Sequence, residues 1–140
     1  MTRPAADTAE PNTPIGRIRV LVVDDDPQVG SRLRDLLTDF DHTVVGLASN
    51  SIQALVLIKT LHPDVVVTDL RMPRMSGLQL AAEVGKFADP PAVIIVSAYD
   101  DASLKEEASQ AGAHAYVVKG APGEQIHDAV VAAAAARSAR

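Results

Sequence analysis

Three consecutive acids, Asp24, Asp25 and Asp26, follow the apolar run IRVLVV, and a fourth, Asp69, follows VVVT. Ser97 stands after AVIIV, and Lys119 after AYVV. None of these residues is specific alone, because an acid after a strand is usually a helix cap and a lone lysine is usually a solvated charge. Gathered at one place they would form a chemical set. Crowded carboxylates repel one another, so some must be protonated or share a cation. Hard oxygen donors without His or Cys favour magnesium or a similar ion. A carboxylate can also accept a phosphoryl group covalently. Lys119 could then balance the phosphoryl charge while Ser97 supplies a hydrogen bond.

The elements that must gather them alternate. IRVLVVDD reads as a buried parallel strand. After Pro27, which suits a first helical turn, Val29, Leu33, Leu36, Leu37 and Phe40 recur at helical spacing. HTVVGLAS is a second strand. SIQALVLIKTL is ambiguous by period but reads as helix, because strands flank it and it holds Gln53, Ala54 and Lys59. PDVVVTDL is the strongest strand, RMPRMSG a loop, and Leu78, Ala81 and Val84 begin a third helix. PPAVIIVSAY is a fourth strand. Leu104, Ala108 and Ala111 mark a helix that Gly112 is placed to cap. AYVVKG is a fifth strand, and GEQIHDAVVAAAAARSAR a last helix with Arg137 favourable near its C-terminus. Five β-then-α units predict one α/β domain with a parallel sheet and helices on both faces. Ligands of such sheets collect beyond the carboxyl ends of the strands, which is where Asp24, Asp25, Asp69, Ser97 and Lys119 fall.

Composition narrows the function classes. The 140 residues suffice for one domain, and hydrophobic residues at 47% with aromatics at 3% imply an aliphatic core. A net charge of −5 with scattered Lys and Arg argues against direct nucleic-acid binding. The absence of cysteine excludes disulfides and thiolate metal sites. No apolar run has spanning length, and the N-terminus lacks the apolar stretch of a secretion signal, so a soluble cytoplasmic domain without membrane contact is expected. Residues 1–16, with three prolines and small polar residues, read as a disordered tail before a domain over 17–140.

VLVVDDDP, VVVTDLRMPRMSG, IIVSAY and GAHAYVVKG together resemble the receiver domain of two-component response regulators, from about Ile18 to the last helix. The resemblance implies a flavodoxin-like sheet of strand order 2-1-3-4-5. It implies that Asp69 is the phospho-acceptor, served by a sensor histidine kinase or a phosphotransfer protein. It makes Asp25 the direct Mg2+ ligand supported by Asp24, with the backbone carbonyl of Arg71 completing the protein's share. Ser97 becomes the hydroxyl that bonds the phosphoryl group, Lys119 the family's lysine, and Tyr116 the aromatic switch. Output would pass through helix 4, strand 5 and helix 5, to a phosphorylation-dependent homodimer or an output protein.

Residues beside these have plainer expected roles. Asp26 caps the first helix, Gly77 serves backbone geometry, and His42, His62, His114 and His127 are surface groups. Many family members have proline after the lysine, whereas Gly120 follows here. The K-G-A-P wording is more similar to receivers of helix-turn-helix transcription factors. Two other readings compete. A haloacid-dehalogenase-type phosphatase would use Asp24 and Asp26 in a D-x-D-x-(T/V) motif, but Gln28 stands where Thr or Val belongs. A pseudo-receiver would be a binding scaffold, yet it usually lacks an acid, the acceptor or the lysine, and all are present.

Overall fold

The computed structural model describes residues 17–139; the expected tail over 1–16 lies outside them. Five strands, β1 (Arg19–Val23), β2 (Thr43–Ala48), β3 (Val65–Asp69), β4 (Ala92–Ser97) and β5 (Ala115–Val118), alternate with five helices. The helices are α1 (Pro27–Asp39), α2 (Ser51–Leu61), α3 (Gly77–Val84), α4 (Ala102–Gln110) and α5 (Gly123–Ser138). The sheet is parallel throughout with the expected order β2-β1-β3-β4-β5.

The near-continuous apolar runs are explained by burial on both faces of the sheet. Side chains alternate along a strand. Val20, Val22, Val65, Val67, Ile94 and Val96 pack with Leu37 of α1 and with Ile126, Val130 and Ala133 of α5. Leu21, Val23, Val66, Val93 and Ile95 face the other way, onto Ala54 and Ile58 of α2, Leu80, Ala81 and Val84 of α3, and Ala108 of α4. Each fully buried Val contributes on the order of 1.5 kcal/mol, so the three central strands carry most of the core.

Caps set where helices begin. The Asp26 carboxylate accepts from the backbone N–H groups of Gln28 at 2.9 Å and Val29 at 3.5 Å, with Pro27 in the first turn. This satisfies the capping role expected for Asp26. Asn50 caps α2, and a Ser76–Gln79 capping box opens α3. Gly112, at φ 100°, closes α4. At the opposite edge of the sheet from the acids, Arg137 donates to the Pro90 carbonyl at 2.9 Å and pairs with Asp64 at 3.3 Å and Asp89 at 3.4 Å. That clamp, rather than a simple helix-end charge effect, holds the C-terminal turn of α5.

His42 departs from the expected surface position. It is 3% exposed, at the entry to β2 after a left-handed Asp41 (φ 67°). Its Nε2 lies 2.9 Å from Nδ1 of half-buried His127 on α5, and Phe40 stacks on His127 at 4.4 Å. His62 and His114 are exposed as expected. Burial, then the neighbouring His127, lowers the His42 pKa, against a smaller opposing pull from Asp41. A histidine with a depressed folded pKa stabilises the protein above its unfolded pKa of about 6.5, and that stability is lost as pH falls through the folded value. The melting temperature should therefore drop between pH 7 and pH 5. His42→Leu should make the melting temperature fall less over that interval; an unchanged pH dependence would remove His42 as its source.

Candidate functional site

At the carboxyl edge of the sheet, Asp24 directly follows β1, Asp69 ends β3, Ser97 ends β4 and Lys119 directly follows β5. Register makes them neighbours: Val23 pairs with Thr68, Asp69 with Val96, and Ser97 with Val118. The chain reverses its direction of strand addition between β1 and β3, which opens the crevice where these ends meet.

Asp24 is buried, Asp69 half-buried and Asp25 exposed, and one carboxylate oxygen from each lies within 4.8 Å of the others. Lys119 Nζ reaches into the cluster, 3.1 Å from Asp69 Oδ1 and 3.6 Å from Asp24 Oδ2. The other Asp24 oxygen accepts from the Asp26 N–H at 2.9 Å. Burial pushes the Asp24 carboxyl above its ordinary value; the Asp26 N–H and Lys119 pull it down, and Asp69 and Asp25 push it up. Burial also works against the charge on Lys119, but its hydrogen bond to Asp69 and the charges of Asp69 and Asp24 outweigh this and raise its pKa. The ensemble is a carboxylate trio whose repulsion a single ammonium only partly offsets.

Fit to a magnesium ion follows from the donor chemistry. The three acids supply hard oxygens at the open rim, with no nitrogen or sulfur ligand among them. The acids expected to hold the metal are thus brought together, and Arg71 follows on the β3–α3 loop. Asp26 points its carboxylate at α1 instead.

Gly77 serves backbone geometry, as expected. A Cβ there would lie 2.4 Å from the Asp69 carbonyl oxygen, and its own N–H donates to the Leu70 carbonyl at 2.8 Å. The loop after Asp69 therefore folds back on the backbone of Asp69 itself. Gly120 adopts φ 88°, a backbone that L side chains rarely take, and no peptide bond among the described residues is cis. Lys119 is instead steadied by its N–H donating to the Ser97 carbonyl at 2.7 Å.

The Ser97 hydroxyl accepts from the Tyr99 N–H at 3.1 Å, and the Tyr116 hydroxyl donates to the Tyr99 carbonyl at 2.6 Å. Arg71 lies over the Tyr99 ring at 4.8 Å. Arg71 and Tyr99 each sit two residues beyond a site residue, and the fold brings the two side chains together. The pairing of Lys119 with Asp24 as well as Asp69 has no sequence signal.

Residues 20–131 match the family model of the response regulator receiver domain. The chain belongs to the response-regulator receiver family. It is a receiver domain of the kind used in two-component signalling, and such domains generally use Mg2+. Among similar proteins is the positive alginate biosynthesis regulatory protein of Pseudomonas aeruginosa, 41% identical over 81% of this chain and 46% of that protein. The chemotaxis protein CheY of Thermotoga maritima is 36% identical over 72% of this chain and 84% of that one. The solved signal receiver domain of the response regulator NarL from Mycobacterium tuberculosis is 37% identical, with a TM-score of 0.79 over 85% of this receiver and 97% of that domain. This chain spans about half the length of the alginate and NarL regulators. Among the described residues no helix is long and apolar enough to cross a membrane.

Proposed function

We propose that this receiver, residues 17–140, is a magnesium-dependent phospho-acceptor switch, with Asp69 as the acceptor. The observation that carries this reading is Lys119 bridging Asp69 and Asp24 within a trio of carboxylates at the switch point of the sheet. An Asp69 oxygen attacks phosphorus in the phosphohistidine of a sensor kinase or phosphotransfer protein. The new O–P bond forms as the P–N bond breaks, and the electron pair leaves on the imidazole nitrogen. Magnesium, held by Asp25, Asp24, Asp69 and the Arg71 carbonyl, would neutralise phosphoryl oxygens. Lys119 turns from the carboxylate pair to the transferred group, and the Ser97 hydroxyl donates to a phosphoryl oxygen.

Output follows from the hydroxyl's present use. Ser97 now holds the Tyr99 N–H, so turning its hydroxyl toward the phosphoryl group changes the segment whose carbonyl holds Tyr116. The α4–β5–α5 face would carry that change to a second copy or an output protein. On this reading the domain works in the cytoplasm, with no nucleic acid or membrane contact of its own.

The test is incubation with acetyl phosphate followed by intact-mass measurement. One phosphoryl group should add with magnesium and none after chelation. Magnesium should also raise the melting temperature, because it binds the folded site alone. Labelling that is indifferent to chelation would defeat the reading.

A further inference from the structure

Ser51 opens α2, yet its side chain is 1% exposed. The capping duty at this helix belongs to Asn50, whose side chain accepts from the Gln53 N–H at 2.8 Å. The Ser51 hydroxyl is thereby left for another use, and it donates to the Met75 carbonyl at 2.9 Å, across 24 positions of sequence. Met75 lies on the β3–α3 loop, between the acceptor Asp69 and α3.

Met72, 9% exposed, seats the middle of that loop in the core with Leu80 and Ala81, and hydrogen bonds hold the backbone on either side. Its neck is closed by the Gly77 N–H donating to the Leu70 carbonyl, and its tip by the Met75 N–H donating to the Pro73 carbonyl at 2.9 Å. Arg74 at the tip takes a left-handed backbone, φ 71°, which is unfavourable for a side chain of its size. Among the described residues, Ser51 supplies the one side-chain hydrogen bond that reaches the backbone of residues 71–75. A carbonyl ligand on such a loop is only as well placed as the loop's tethers allow.

We propose that Ser51 is a positioning residue for the metal site: its bond to Met75 holds the β3–α3 loop so that the Arg71 carbonyl stays aligned with Asp24, Asp25 and Asp69. This rests on the receiver chemistry proposed above. Without the tether, binding must order the loop as well as fill the site, so affinity falls while the acids remain intact.

The experiment is calorimetric titration of magnesium into the full chain, with amide hydrogen exchange of the metal-free protein. Ser51→Ala should bind magnesium about five-fold more weakly. Its exchange should quicken at residues 71–75, with a metal-free melting temperature close to wild type. Ser51→Thr, which keeps the hydroxyl, should restore affinity to within about two-fold. Wild type that binds no magnesium overturns the receiver chemistry, and the positioning role with it. Wild type that binds but is matched by Ser51→Ala overturns the positioning role alone. A variant that loses metal-free stability and exchanges faster throughout α2 and β3 also overturns it, because the hydroxyl would then be supporting the fold at large.

Discussion

Asp69→Asn should emerge from acetyl phosphate and magnesium with no phosphoryl adduct, its labelling at least about a hundred-fold below wild type. The amide that replaces the carboxylate has no anionic oxygen to attack phosphorus. Its neighbours are poor substitutes for it. One oxygen of Asp24 is held by the Asp26 N–H and the other faces Lys119, and the side chain is buried. The Asp26 carboxylate caps α1. Asp25 is exposed, but on this reading it is committed to the metal. The fold should survive the substitution, because Asp69 is half-buried and its removal lessens the repulsion within the trio. Intact mass before and after incubation, with the melting temperature as a folding control, checks the result. An adduct that persists in folded Asp69→Asn would move the acceptor elsewhere.

The phosphorylated state should be comparatively long-lived, and both Arg71→Asn and Tyr99→Ala should shorten it. Water must approach in line, opposite the Asp69 oxygen, so whatever covers the outer face of the phosphoryl group controls its loss. Arg71 lies over the ring of Tyr99 at 4.8 Å, and these two side chains meet at the rim between β3 and β4. Neither is a carboxylate or amide suited to orienting the attacking water; Arg71→Asn introduces an amide, so Tyr99→Ala is the variant that reads the cover alone. An exposed cation–π pair contributes about 1 kcal/mol, so breaking this cover should speed release roughly five-fold. An arginine near a phosphoryl group has a competing use, since it can stabilise developing negative charge and hasten loss. The ring contact argues for cover, because it engages the guanidinium face away from a purely solvated position. Phosphate release from phosphorylated wild type and both variants in excess magnesium separates the two. Slower decay in Arg71→Asn would show the arginine assisting hydrolysis.

Much of this receiver was legible because its strands are buried on both faces. An apolar run in a parallel strand stops where the chain reaches the sheet edge, so Asp24, Asp69, Ser97 and Lys119 announce strand ends in one dimension. Local geometry was legible for a different reason: Asp26 before Pro27, and Ser51–Leu61 between two strand runs, depend on neighbours a few residues away. The order β2-β1-β3-β4-β5 was implied by resemblance, since alternating units alone admit more than one winding. Tertiary structure alone decided the contacts that join distant segments. His42 seemed a surface group by spacing, but it lies under α5 against His127, 85 positions away. Lys119 serves two carboxylates, Arg137 clamps α5 to Asp64 at the far edge of the sheet, and Ser51 reaches Met75. Each pairing is a single polar contact across a large sequence separation. It leaves no period and no local propensity, and only the packing of helices onto the sheet brings its partners within hydrogen-bonding distance.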